Sequence, residues 1–173
     1  MLQHVAGSTG NSRHAYFVRA TELVWPQAGV TREKTLRIVI IGASGLALAS
    51  AKAFLADGHE VVIIEKDQAV IDRLDEQYDC SFYCGDGARP GVLDDMDPAS
   101  TDLLLCLSDD DTSNVLAAVV ARSMSFDRVV VRLEDNDLLP VCEQLKLENV
   151  MVPDERMAQH LLSFAEGEED CPE

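Results

Sequence analysis

Gly42, Ala43, Ser44, Gly45 and Leu46 follow an unbroken apolar run, RIVII, and lead into ALASAKAFL, whose apolar residues recur at helical spacing. A glycine-bearing turn from strand into helix suits an anion, because the first amides of the helix have no intrahelical acceptor and the dipole favours negative charge. In the usual G-x-G-x-x-G pattern the first glycine makes the tight turn, the second admits a pyrophosphate, and the third lets helix pack on strand. Here Gly42 holds the first place, Ser44 the second and Ala47 the third, with Gly45 one position late. Ala47 is small enough to pack closely, and the Ser44 hydroxyl can either meet the anion or cap the helix. Glu65 stands 23 residues after Gly42 and ends the next apolar run. That is close to the spacing of about 20 at which a carboxylate accepts ribose hydroxyls. The same carboxylate repels a 2′-phosphate, even with Lys66 adjacent.

Two later stretches add candidates. CGDGARPGVL places Asp86 and Gly87 just past a third apolar run, and LSDDDTSNVLAAVVAR places Ser108 and Asp109 just past a fourth. Both lie at carboxyl ends of expected strands, the edge at which open α/β sheets bind ligands. Asp110 and Asp111 read instead as N-cap and first-turn acids of the helix that follows. The combined expectation is NAD(H) or ADP/ATP, with pyrophosphate over Ser44 to Leu46 and ribose on Glu65.

The elements that would position these residues alternate regularly. Apolar runs at 36–41, 60–64, 80–84, 102–107, 128–133 and 149–152 lack polar alternation, as strands covered on both faces do. Between them the spacing predicts helices at 45–56, 67–77, 90–95, 111–124 and 137–145, and a last one at 154–165. Strand–helix repetition with right-handed crossovers gives an α/β, doubly wound, Rossmann-like parallel sheet of six strands in the order 3-2-1-4-5-6. Residues 1–35 read as an N-terminal extension, flexible at AGSTGNS. A short helix places Tyr16, Ala20, Leu23 and Val24 on one face and stops before Pro26. Residues 36–165 read as the nucleotide-binding domain and 166–173 as an acidic tail. On the last helix Met157, Leu161 and Phe164 form one apolar face, with Leu162 and Ala165 beside it, suited to the same helix of a second copy.

The chain of 173 residues fits one core plus an extension. Its net charge of −17 argues against a nucleic-acid partner, which needs clustered Lys and Arg. The acid is uneven: Arg13, Arg19, Arg32 and Lys34 against Glu22 and Glu33 leave residues 1–35 at +2, so the remainder carries −19. Cysteines at 80, 84, 106, 142 and 171 show no paired C-x-x-C spacing for zinc and read as reduced thiols, Cys80 and Cys84 as small buried hydrophobes. No signal peptide or membrane span is expected. The longest apolar candidate, 36–56, contains Arg37 and Lys52 and is better explained as a strand and a helix.

Taken together, RIVIIGASGLALASAKAFLADGHEVVIIEKDQAVIDRL, GDGARPGVL, LSDDDTSNVLAAVVAR and NVMVPDERMAQHLL resemble the TrkA-N, or RCK-type, regulatory domains of potassium channels and transporters across about residues 36–165. Glu65-Lys66-Asp67, Gly85-Asp86 and Ser108 to Asn114 occupy that family's strand-end acid, Gly-Asp pair and Asp-rich turn before an Asn-bearing helix. The resemblance implies a cytoplasmic sensor of NAD(H) or an adenine nucleotide that pairs into homodimers or higher rings. Such a sensor passes closure of its cleft to a potassium channel or transporter subunit and so lies peripheral to the inner membrane. This sequence departs from the family in carrying Ser44 for the second glycine, and it stops near 165 without the second regulatory subdomain that often follows, so either a separate pore subunit or a truncated architecture is expected.

Two rival readings use the same residues. GASGLAL also resembles the loop of NAD-dependent short-chain reductases and epimerases, which move a proton with a Tyr-x-x-x-Lys pair. Tyr16, Tyr78 and Tyr83 are followed four places later by Ala20, Phe82 and Gly87, so the pair is missing. His4, His14, His59 and His160 do not converge on any one stretch either, and no catalytic residue is assigned. The other rival is an interaction module without a ligand.

Overall fold

Aliphatic and β-branched residues dominate each apolar run, and such residues favour extended backbone where both faces are covered. In the computed structural model of the chain, which describes residues 34–166, they form six strands. These are β1 (Arg37–Ile41), β2 (Glu60–Glu65), β3 (Ser81–Cys84), β4 (Leu103–Cys106), β5 (Val129–Arg132) and β6 (Val150–Met151). Six helices follow them in turn: α1 (Gly45–Ala56), α2 (Gln68–Leu74), α3 (Pro90–Asp94), α4 (Asp111–Ser123), α5 (Leu139–Gln144) and α6 (Pro153–Glu166). All ladders are parallel and the strand order is β3-β2-β1-β4-β5-β6, as the alternation predicts.

Strand residues point alternately to two cores. Ile38, Ile40, Val61, Ile63, Leu103 and Leu105 face one side, where α1 brings Ala47 and Ala51. Val39, Ile41, Val62, Ile64, Leu104 and Cys106 face the other, against Leu93 of α3, the alanines of α4 and Cys142 of α5. The alanines let the helix axes lie close to the sheet. Chain order reverses between β1 and β4, so the turns after these two strands diverge and leave a crevice at their carboxyl ends.

The structure differs from expectation at the edges. The run 80–84 forms β3, an outermost strand, so Ser81 and Cys84 are exposed and Cys80 is half-buried instead of both cysteines being core residues. Burial and the nearby Asp75 and Asp79 still push the Cys80 thiol up to about 11. Strand β6 is only two residues long, because pairing is confined to Val131–Val150 and Arg132–Met151. The helix expected around Tyr16 to Val24 and the acidic tail beyond 166 lie outside the described residues.

Candidate functional site

The turn between β1 and α1 is shaped by two residues with different tasks. Gly42 has φ +93° and donates its amide to the Ile64 carbonyl at 2.8 Å. A Cβ there would sit 2.6 Å from the Cα of Ser108, so both conformation and space require glycine. Ser44 has an ordinary φ of −64° and is 5% exposed. Its hydroxyl accepts from the Ala47 amide at 3.2 Å and donates to the Leu107 carbonyl at 2.5 Å. Of the two roles open to this hydroxyl, the structure therefore shows the cap. Ala43 and Leu46 are half-buried, and Leu46 packs against the α1-side core. Gly45 is exposed, and a Cβ added to it would meet nothing within 4 Å. The space beside Gly45 is thus open, and the amides of Gly45 and Leu46 stand at the positions a helix leaves without intrahelical acceptors.

Glu65 ends β2 at the same edge, one strand away. It is half-buried, and its Oε1 accepts from the Asp67 amide at 3.0 Å, which fixes the carboxylate while leaving acceptor capacity. Lys66 is exposed, and Asp67 caps α2 by accepting from the Ala69 amide at 2.9 Å. In the loop after β3, Asp86 accepts from the Ala88 amide at 3.0 Å and pairs with Arg89 at 3.5 Å. Gly87 is buried, and a Cβ there would come within 2.4 Å of Ile41 Cγ2. Its task in the described structure is to let this loop lie against the end of β1.

The loop after β4 rests on a polar network whose parts sequence reasoning did not connect. Asn114 of α4 is completely buried. Its Oδ1 accepts from the Ser108 amide at 2.9 Å and hydroxyl at 2.7 Å, and its Nδ2 donates to the carbonyls of Ser108 and Arg132 at 2.9 and 3.1 Å. Arg132 adds bonds from Nη1 to the Ser108 carbonyl at 3.0 Å and to Asp109 Oδ1 at 3.2 Å. The signals were an amide on the apolar face of α4 and a lone arginine closing the run VVVR. Asp110 is the α4 N-cap, accepting from the Ser113 amide at 2.6 Å. Hydrogen bonds from the Ser113 side chain and amide hold its carboxyl below the usual range, and the charge of Lys66 acts in the same direction. Asp111 takes the Glu134 amide on both carboxylate oxygens.

Gly42, Ser44, Gly45, Glu65, Lys66, Ser108 and Asp109 are thus gathered on one edge, with Asp86 on the neighbouring loop. Chemically, the arrangement offers backbone donors for a phosphate and a carboxylate for hydroxyls. Of the two described tyrosines, Tyr83 donates its hydroxyl to Asp95, a bond that raises its pKa and favours the neutral phenol. The Tyr78 ring lies beneath the Lys52 ammonium, 5.2 Å from the centroid. A depression of about 170 Å³ at the opposite, amino-terminal edge is lined by Arg122, Phe126, Lys146 and Asn149 among others, and none of the expected ligand residues borders it. It falls short of the roughly 300 Å³ of ordinary ligand pockets. Among the described residues, no helix is long and apolar enough to cross a membrane.

The TrkA-N domain family matches residues 38–153. A Trk system potassium uptake protein TrkA homolog from Methanothermobacter thermautotrophicus is 23% identical over 124 residues, covering 72% of this chain and 57% of that protein. A second such homolog, from Archaeoglobus fulgidus, is 34% identical over 100 residues, or 58% of this chain and 22% of that one. The chain therefore matches about half or less of these curated relatives. Among solved structures, the NAD(P)-binding domain of an exopolyphosphatase-related protein from Archaeoglobus fulgidus aligns with a TM-score of 0.67 at 17% identity, covering 75% of this chain and 97% of that one. The GsuK channel bound to NAD aligns with a TM-score of 0.62 at 14% identity, over 76% and 24% of the two chains. GsuK bound to ADP aligns at 0.61 and 14%, over 77% and 35%. At these identities the structural likeness speaks to the fold.

Proposed function

Because the chain belongs to the TrkA-N domain family, we propose that it is a nucleotide-sensing regulatory domain that binds NAD(H) or ADP/ATP and controls a potassium channel or transporter. The observation that carries this reading is the convergence of three groups at the β1–β4 crevice. These are the open first turn of α1 at Gly45, the oriented Glu65 carboxylate, and the Ser108 loop held against Gly42. Phosphate lies over Ser44 to Leu46 on the α1 amides, ribose hydroxyls donate to Glu65, and the loops at Asp86–Gly87 and Ser108–Asp109 flank the ligand. Relatives named as potassium uptake proteins, and a channel solved with NAD and with ADP, support both halves of the proposal. Residues 36–165 act as the sensing unit, on the cytoplasmic side of a membrane subunit.

The output runs through α6. Met157, Leu161, Leu162 and Phe164 are all more than half exposed, and a second copy of the chain covers them in a two-fold, self-complementary contact. Nucleotide shifts the relative orientation of the two copies by favouring one closure of the crevice. No turnover is expected, since hydride transfer needs a placed acid–base partner. Calorimetry on the full chain and on Glu65→Ala tests the ligand half. The variant loses the ribose acceptor and weakens NADH or ADP binding by about 1–3 kcal/mol. Unchanged affinity overturns the placement of the ligand.

A further inference from the structure

We propose that Asn136 and Glu155 form a latch that fixes the direction of α6, and that the strap of residues 132–136 ties this latch to the Ser108 loop. The inference rests on the reading of α6 as the output and deepens it, by naming the residues that set how the helix leaves the body.

Helix α6 buries none of its residues, so core packing does not fix its direction. It starts at Pro153, directly after Val152, which is buried in the core on the α4 side of the sheet. Val152 is thus a pivot and the helix beyond it a rod. Glu155, three residues past the pivot, accepts on Oε2 from Asn136 Nδ2 at 2.9 Å. At a rise of about 1.5 Å per residue, Glu155 lies about 4.5 Å along the rod and Glu166 about 21 Å, so a shift at Glu155 grows roughly fourfold to fivefold at the far end.

Asn136 is itself held in place. Its carbonyl accepts from the Leu139 amide at 3.1 Å at the entry to α5, and the Asp137 amide donates to Asp135 Oδ1 at 2.8 Å, closing the turn around it. Two residues back, the Glu134 amide donates to both carboxylate oxygens of Asp111, at 2.9 and 2.8 Å. Leu133 is wholly buried and donates its amide to the Met151 carbonyl, one residue before the pivot. Arg132 donates from Nη1 to the Ser108 carbonyl at 3.0 Å, and its own carbonyl accepts from Asn114. Residues 132, 134 and 136 therefore grip the Ser108 loop, the first turn of α4 and the first turn of α6 in succession. A shift of the Ser108 loop is carried along this segment to Glu155. Asn136 and Glu155 are both exposed, so water competes for the bond and the latch is weak enough to open.

The test is hydrogen–deuterium exchange of the full chain, alone and with saturating NADH or ADP, read at peptides spanning 153–162 and corrected for intrinsic rates. Without nucleotide, Asn136→Ala and Glu155→Ala are expected to speed exchange there about threefold to tenfold, as the loss of one hydrogen bond does, while β1 and β4 keep the parent rates. Glu155 is also a first-turn acid that suits the helix dipole. Glu155→Gln removes that charge but keeps an acceptor oxygen, so it should match the parent. The faster exchange of Asn136→Ala should persist in a Leu161→Asp background, and its disappearance there would assign the effect to self-pairing and overturn the latch. With nucleotide, the parent α6 peptides change their exchange, whereas Asn136→Ala binds with parent affinity in calorimetry and shows no such change. Parent-like exchange in nucleotide-free Asn136→Ala overturns the latch, and Glu155→Gln exchanging as fast as Glu155→Ala overturns the hydrogen bond as its cause. An α6 response that survives Asn136→Ala, or that is absent from the nucleotide-bound parent, overturns the strap. If neither NADH nor ADP binds the parent, the nucleotide reading falls and the strap's signal with it, while the nucleotide-free arm still decides the latch.

Discussion

Helices α4 and α6 are nearly equal in length, 13 and 14 residues, and both carry an apolar stripe, yet they are used in opposite ways. Helix α4 buries Asn114, Val115, Ala117, Ala118 and Ala121 against the sheet. Helix α6 buries nothing, and its Leu161 and Phe164 are 60% and 71% exposed. The size of the side chains tracks the difference. A helix pressed flat on a sheet needs small residues along its contact line, whereas Met, Leu and Phe at spacings of three and four build a ridge that must enter a groove elsewhere. Periodicity thus announces a face, and volume tells what kind of surface it will meet.

Substitutions of the same kind on the two helices should separate them sharply. Ala118→Asp places an unpaired charge in a fully buried site and is expected to cost more than about 4 kcal/mol in urea denaturation, or to prevent folding. Asn114→Ala takes this partner from the Ser108 amide and the Arg132 carbonyl and leaves the Ser108 carbonyl with Arg132 Nη1 alone, an expected loss of about 3 kcal/mol. A change below about 0.5 kcal/mol would show that α4 does not depend on its polar anchor.

A smaller effect is expected from acid. The Asp110 carboxyl is depressed in the fold by hydrogen bonds from the Ser113 side chain and amide. Its stabilisation is therefore full above the unfolded aspartate pKa of about 3.9 and disappears as pH falls through the lower folded value. Asp110→Asn keeps a capping side chain but removes the titration, so its stability should decline less between pH 5 and pH 2. Identical acid profiles would remove Asp110 from the account of α4. The smallest effect on the fold belongs to Leu161→Asp, within about 0.5 kcal/mol. Light scattering should nevertheless report monomers where the parent chain is dimeric. A parent chain that is already monomeric at high concentration with nucleotide present refutes the self-pairing of α6.

The layout of the sheet was readable because each strand is a run of Val, Ile and Leu interrupted by helical spacing, and the order 3-2-1-4-5-6 followed from crossover handedness. The run at 80–84 misled because apolar content cannot tell an edge strand from a central one, and only the pairing partners decide whether Cys84 is covered. At the candidate site, Gly42 and Glu65 were visible by spacing. The cap at Ser44 was one of two roles the sequence allowed, and choosing between them required the position of the Leu107 carbonyl, 63 residues away. The Asn114–Arg132 network was hidden for the same reason, since it joins a helix to the next strand through backbone atoms that carry no sequence signature.

The Ser44 bridge has a consequence for how fast and with what heat a ligand is taken up. A turn already capped by its own serine, with Ser108 seated on Gly42, is finished before any nucleotide arrives. At the proposed site binding would need no ordering of this turn, so the first phase in stopped-flow traces should be concentration-proportional, with any later phase belonging to closure of the crevice and not to the turn. The accompanying heat-capacity change should then carry no contribution from folding of this turn. A nucleotide sensor of the proposed kind would thereby be poised to follow rapid changes in nucleotide level.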